Sequence, residues 1–267
     1  MTGKSINFAN IHFCCGWRLA VATQATWAKN VIGFKLKAKC CELPAFFVVL
    51  LKFLNRIIMP LVHSEKIEEN STLLLWKLTE SETELRKSLG STYNFIDIDS
   101  ISHPQKIREW LASRLLIKTL AEQFGIFYEG THKDEHGKAF LVNNDSHISI
   151  THTFDYVAAV INLSSPVGID MEKMDEKLRR TAKKFLSESE YVHAENQLAS
   201  LCIYWCAKEA IYKLYGKKKI SFKDSIYIKP FSVDENQIHG ILTDETVKVN
   251  SPIHLRWFDD YCLAVAL

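Results

Sequence analysis

Two stretches of this chain read as copies of one another, and an internal duplication is the tightest constraint the sequence sets on a fold. Trp110-Leu-Ala-Ser-Arg-Leu-Leu-Ile-Lys118 lies over Trp205-Cys-Ala-Lys-Glu-Ala-Ile-Tyr-Lys213, with Trp, Ala and Lys at matching positions. Farther along, Phe154-Asp155-Tyr156 and the apolar run after it resemble Phe258-Asp259-Asp260-Tyr261 and its own apolar run. Both matches fall in the same order, so each half supplies a long helix followed by a strand hairpin. Two such halves pack around a pseudo-twofold axis, and ligands favour that kind of seam. The expected fold is α+β, with two similar subdomains, each a long helix on a small antiparallel sheet.

Local patterns agree. Leu73–Leu78 reads as a strand, and Thr79 ahead of Glu80, Glu82 and Glu84 as a helix start. Ser102 ahead of Pro104 opens a helix that Gly125 stops. Asn143-Asn144-Asp145 is a turn, and His147–His152 with Tyr156–Asn162 is a hairpin. Segments 226–230, 237–242, 246–249, 254–258 and 261–267 read as strands of a closing sheet.

The chemistry concentrates between Val167 and Gly216. Asp170 and Glu172 stand two apart at the end of an apolar strand and share a face. Glu209 and Lys213 stand four apart on a helix and lie side by side. Three carboxylates and one or two lysines converging would cradle a hard divalent cation and a phosphate ester.

Together, these pieces resemble the 4′-phosphopantetheinyl transferases. The resemblance rests on Gly168-Ile169-Asp170-Met171-Glu172, then Phe185-Leu186-Ser187 with Glu190-Tyr191, then Trp205-x-x-Lys208-Glu209-Ala210-x-x-Lys213. Ile148-Ser149-Ile150-Thr151-His152, Asp155-Tyr156 and Gly137-Lys138 extend it, over about residues 70–267. Ala139 departs from a common family form, where proline follows Gly-Lys, and Thr151 stands where serine is commoner.

The resemblance implies the larger, monomeric, pseudo-dimeric type of transferase. Its reaction would be Mg²⁺-dependent transfer of phosphopantetheine from coenzyme A to a serine of an apo acyl- or peptidyl-carrier protein, as in fatty acid biosynthesis. It implies Asp170, Glu172 and Glu209 as metal ligands, with Glu209 alternatively activating the serine, and Lys213 acting on the leaving phosphate. Thr151, His152 and Lys138 are implied near coenzyme A, with Lys208 assigned there too. Lys106, Arg108 and Arg114 are nominated for its phosphates. The readings from other classes are a carrier-binding module of the same fold without catalysis, and a different Mg²⁺-dependent phosphotransferase.

Charge divides the chain. Residues 1–58 carry eight basic residues against one acid, Glu42, while the whole chain is only +2, so the remainder is net acidic. We expect residues 1–58 to be an extension ahead of a natural start at Met59, followed by subdomains over 59–165 and 166–267. The apolar run from Ala45 to Leu51 is too short to span a bilayer. No Cys-x-x-Cys pair, Gly-x-Gly-x-x-Gly loop or Walker loop is present, which argues against a zinc finger and a nucleotide loop. Scattered cysteines suit a reducing cytoplasm. With an acidic body, nucleic acid and membrane are not expected partners. An acidic carrier protein needs a local basic patch, and Lys217-Lys218-Lys219 is the expected one.

Overall fold

The computed structural model describes residues 61–267 apart from positions 92, 218, 219 and 246. The basic leader, the start at Met59, and Lys218 and Lys219 lie outside the described residues.

Two antiparallel sheets stack face to face, each backed by one long helix. The first sheet has the order β1-β2-β6-β5-β4-β3. Its strands are β1 (Leu61–Glu68), β2 (Ser71–Lys77), β3 (Thr131–Lys133), β4 (Ala139–Leu141), β5 (His147–His152) and β6 (Tyr156–Asn162). The second has the order β7-β11-β10-β9-β8. Its strands are β7 (Gly168–Lys173), β8 (Ile226–Ile228), β9 (Gln237–Thr243), β10 (Lys248–Phe258) and β11 (Tyr261–Ala266). The helices are α1 (Glu82–Leu89), α2 (Pro104–Gln123), α3 (Lys177–Phe185), α4 (Glu188–Ala194) and α5 (Leu198–Tyr215). None of the helices among the described residues is long and apolar enough to cross a membrane.

The strict alternation of strand side chains builds three cores. Leu73, Leu75, Ala158 and Val160 point inward and meet Ile169, Met171, Leu263 and Val265 of the other sheet. The outward residues Leu74, Trp76, Val157 and Ala159 pack against Leu111, Leu115 and Ile117 of α2. Cys262, Ala264 and Ile253 pack in the same way against Leu201, Ala207 and Ile211 of α5.

The duplication is visible strand by strand: β2-β6-β5-β4-β3 follows the same order as β7-β11-β10-β9-β8, with every neighbour antiparallel. The halves cross-tie reciprocally. Tyr156 Oη donates to Asp259 Oδ2 at 2.8 Å, and Tyr261 Oη donates to Asp155 Oδ2 at 2.5 Å. Lys77 pairs with Tyr156 in register and lies over its ring, as Lys173 does with Tyr261.

Some elements differ from expectation. The α1 helix starts at Ser81, not Thr79, because Ser81 and Glu84 form a reciprocal capping box. The segments expected near 246–249 and 254–258 are one strand, β10, which runs through Pro252. Pro252 is tolerated because β11 ends opposite Ile253; beyond that pair only the Leu267 amide reaches it, donating to the Pro252 carbonyl at 3.1 Å, a bond that needs no proline N–H. The β1 strand is an edge whose mostly polar sequence hides it.

Candidate active site

Strand β7 is pressed onto α5 at Gly168. A Cβ there would lie 1.9 Å from the Ala210 carbonyl oxygen, so only glycine permits this approach. The outward residues of β7 therefore face α5. Asp170 and Glu172 join Glu209, Lys213, Trp205, Thr151 and His152 around a cavity of about 360 Å³.

Lys213 stitches the two halves together here. Its Nζ donates to Asp170 Oδ1 at 2.8 Å and to the carbonyl of Ile169 on β7 at 2.9 Å. It also donates to the carbonyl of Ile150 on β5 at 3.4 Å. Thr151 Oγ1 donates to the same Asp170 oxygen at 3.1 Å. Glu172 is held by Lys177 Nζ at 3.0 Å.

Burial pushes the Glu209 carboxyl up to about 7, and the negative charges of Asp170 and Glu172 add to that against the opposing pull of Lys213. Its folded value lies above its unfolded one, so the folded chain holds this proton more tightly, and stability falls as pH rises between about 4.5 and about 7. Glu209→Gln, which cannot ionise, should therefore be stabilised over the parent at pH 8 by about 1–3 kcal/mol and gain nothing at pH 4.5. Melting curves in EDTA at both pH values check this; an equal gain at both would mean the carboxylate is not under charge strain.

A second, larger cavity of about 650 Å³ adjoins the first and shares Ile150, His152 and Lys213 with it. It is strongly basic, lined by Lys106, Arg114, Lys133, Lys138 and Lys217 as well. Arg114 lies over the Trp110 ring at 4.3 Å, and its buried Nε has no hydrogen-bond partner. Lys138 Nζ donates to the Leu214 carbonyl at 2.7 Å and so caps the C-terminal turn of α5, and burial lowers its pKa. Gly216 ends that helix with φ 74°, packed against the Lys138 stem. Burial also lowers the His152 pKa; nearby Glu109 opposes that shift, whereas Lys106 and Lys213 reinforce it.

The structure brings nine of the nominated residues to these two cavities: Lys106, Arg114, Lys138, Thr151, His152, Asp170, Glu172, Glu209 and Lys213. Two stand elsewhere. Lys208 is fully buried, with Nζ donating to Glu190 Oε2 at 2.7 Å and to the carbonyls of Phe222 and Ile226. It neighbours Glu209 in sequence, but one residue turns a helix by about 100°, which carries it into the core behind α5. Arg108 spends its guanidinium on the carbonyls of Glu80 and Leu78, tying α2 to the end of β2. Lys217, expected at a protein-docking rim, lines the larger cavity. Glu109, Trp110, Lys133 and His136 also line it without having been nominated for the site. Glu109 and Trp110 sit on α2 and Lys133 and His136 on the β3–β4 hairpin, with no spacing that joins them; Lys106 and Glu109, three apart on a helix, read as an ordinary surface pair.

The match to the 4′-phosphopantetheinyl transferase superfamily covers residues 166–266, which include every carboxylate of the smaller cavity. This part of the chain is similar to that superfamily. Among curated proteins, it is similar to the 4′-phosphopantetheinyl transferase gsp of Aneurinibacillus migulanus, 32% identical over 53% of this chain and 60% of that protein. It is similar to a 4′-phosphopantetheinyl transferase of Bacillus subtilis, 29% identical over 61% of this chain and 75% of the relative. It is also similar to the transferase Sfp of Bacillus subtilis strain 168, 28% identical over 47% and 55%. The chain thus spans less than two thirds of the first and third of these relatives. The two regions named by the sequence motifs, around Thr151-His152 and around Asp170 to Lys213, both line the smaller cavity, and His152 and Lys213 line the larger one too.

The acidic cavity invites a divalent cation. Asp170, Glu172 and Glu209 offer only carboxylate oxygen, the donor set of a hard ion such as Mg²⁺. Their mutual repulsion, recorded in the raised Glu209 carboxyl, is what a bound cation would relieve. With Lys213 and Lys177 holding the two strand carboxylates, no three such side chains stand together as a ready-made metal site among the described residues.

Proposed function

We propose that this protein transfers 4′-phosphopantetheine from coenzyme A to a serine of an apo acyl- or peptidyl-carrier protein, releasing 3′,5′-ADP. The observation that carries this reading is the junction of an acidic cavity with a larger basic one through His152 and Lys213. A polyanionic cosubstrate seated in the basic cavity would bring its pyrophosphate to the carboxylates. The serine oxygen attacks the β-phosphorus, a new phosphodiester forms, and the bond to the ADP oxygen breaks. Asp170 and Glu172, with Glu209, would hold Mg²⁺, which when bound offsets the charge of the pyrophosphate. Alternatively, left off the cation, a Glu209 carboxyl raised to about 7 is suited to take the serine proton near neutral pH. Lys213, already shared between β5 and β7, places a positive charge where the leaving phosphate develops its own. The test is incubation with coenzyme A, Mg²⁺ and an apo carrier protein: we expect a mass gain of one phosphopantetheine on the carrier. Coenzyme A binding without transfer would favour a non-catalytic module.

One site per chain is expected, in a monomer. Counting back from the equivalent pairs Lys77–Tyr156 and Lys173–Tyr261, Leu74 and Trp76 occupy the positions of Asp170 and Glu172. Both are fully buried in the first-half core, where no carboxylate replaces them. Calorimetric titration should give one coenzyme A per chain; two would overturn this.

The carrier is expected to dock on α3. Its sequence, Lys-Leu-Arg-Arg-Thr-Ala-Lys-Lys-Phe, has five bases and no acid. Leu178, Ala182 and Phe185 face inward, leaving Arg179, Arg180, Lys183 and Lys184 exposed. The helix borders the acidic cavity through Lys177 on Glu172 and Phe185 on Trp205, whose ring centroids are 5.0 Å apart. Reversing Arg180 and Lys184 to glutamate should raise the carrier KM roughly three- to tenfold, less at high salt, and spare the coenzyme A KM. A raised coenzyme A KM with an unchanged carrier KM would move the docking face elsewhere.

A further inference from the structure

Glu109 is out of place by charge. Six lysines and arginines line the larger cavity, and Glu109 is the one carboxylate among its described lining residues. A carboxylate beside an anion site repels the ligand, and this one is only 3% exposed, so it also bears a desolvation cost. Its surroundings account for both. Oε1 accepts from Gln105 Nε2 at 3.2 Å, and Oε2 accepts from Lys106 Nζ at 2.7 Å. The same Oε2 stands 3.0 Å from Nδ1 of His152, one of the residues common to both cavities. Gln105 Nε2 also donates to the carbonyl of Phe154 at 2.9 Å, which ties α2 to the turn just after His152.

We propose that Glu109 is a positioning residue of this site: its carboxylate gathers the His152 ring and the Lys106 ammonium side by side and turns the Nε2 edge of His152 toward the ligand. This rests on the reading that the basic cavity takes coenzyme A. The physical reason is direct. A carboxylate oxygen 3.0 Å from Nδ1 favours the proton on that nitrogen, which fixes the tautomer and leaves Nε2 as the outward ring edge. Lys106, and Lys213 from α5, would otherwise push a cationic His152 away, and the Glu109 charge offsets them. Carboxylates that orient a histidine from behind are general devices of this kind.

The experiment begins with imidazole ¹⁵N spectra of the ligand-free protein, the His152 signals being those lost in His152→Gln. In the parent, neutral His152 should carry its proton on Nδ1; in Glu109→Leu the proton should move largely to Nε2. An unchanged tautomer in Glu109→Leu overturns the proposal. Glu109→Gln keeps the shape and an acceptor oxygen, so it decides the matter even where the leucine variant does not fold. It should weaken coenzyme A binding about tenfold while lowering kcat less than that. In the His152→Gln background, the same change should have little further effect on coenzyme A binding. Tighter coenzyme A binding by Glu109→Gln, or two losses that simply add, would show that the carboxylate does not act through His152. A parent protein that binds no coenzyme A would instead sink the functional reading, and the ¹⁵N spectra of the free protein would still decide the role of Glu109.

Discussion

Asp170→Ala should reduce phosphopantetheine transfer by about 10²–10⁴-fold and leave a folded protein. The side chain is 11% exposed and receives two donors, Thr151 Oγ1 at 3.1 Å and Lys213 Nζ at 2.8 Å. Packing is not its main contribution, because the inward faces of β7 and β11 are filled by Ile169, Met171, Leu263 and Val265. Without it, Lys213 keeps its contacts to the Ile169 and Ile150 carbonyls, so the seam between β5 and β7 should survive. The cation would lose its most buried carboxylate, and Glu209 would lose one of the charges that raise it. Rates from carrier mass spectra, with melting curves alongside, check both halves of this statement. Glu172→Gln should be milder, since Glu172 is more exposed and already shared with Lys177. Retention of more than a tenth of the parent rate by Asp170→Ala would remove the metal role assigned to that carboxylate.

What could be read from the sequence follows from which signals are local. The duplication showed because Trp, Ala and Lys recur at matching positions of two helices and Phe-Asp recurs before the apolar strands β6 and β11. Strands β5 and β6 run over the residues expected of them, since each combines β-branched and apolar residues between turn signals. Strand β1, with Ser64, Glu65, Lys66 and Glu68, carries no such pattern because it is an edge with one half-solvated face. It is held instead by partners distant in sequence, as where Arg256 of β10 donates to Glu65 at 3.0 and 2.5 Å. The acidic cavity was legible for the same reason as the strands: Asp170 and Glu172 obey a period of two, and Glu209 and Lys213 a period of four. The basic cavity was less so, because its lining is divided among α2, the β3–β4 hairpin, β5 and the end of α5, which no single sequence spacing joins. Glu109 was invisible because an acid on a helix next to lysine is ordinarily a solvated pair; only its burial beside His152 distinguishes it.

The largest loss of stability should come from the ion pair made by Lys208, a residue that sequence reasoning assigned to the ligand. Lys208 and Glu190 have side chains 0% and 1% exposed. Glu190 Oε2 accepts from the Ser187 amide at 2.8 Å and the Ser187 hydroxyl at 2.9 Å, closing the capping box of α4. Glu190 Oε1 accepts the Ile228 amide at 2.8 Å, so the carboxylate also fixes β8. Lys208 Nζ completes the unit with the carbonyls of Phe222 and Ile226 at 2.8 and 2.6 Å. One buried pair therefore locks α4, α5 and the start of β8 together. Deleting one member leaves the other charge buried without its partner, which costs about 3–5 kcal/mol. Glu190→Ala should accordingly lower Tm by roughly 6–20 °C. Lys208→Met should be less severe, because Glu190 retains the Ser187 and Ile228 donors and the methionine fills much of the lysine volume. Adding Glu190→Gln to Lys208→Met should recover part of the loss, since it removes the charge left behind. Below its melting range, Lys208→Met should bind coenzyme A as the parent does, because Lys208 lines neither cavity. A folded Lys208→Met protein with weakened coenzyme A binding would return Lys208 to the ligand and contradict the structural role assigned to it.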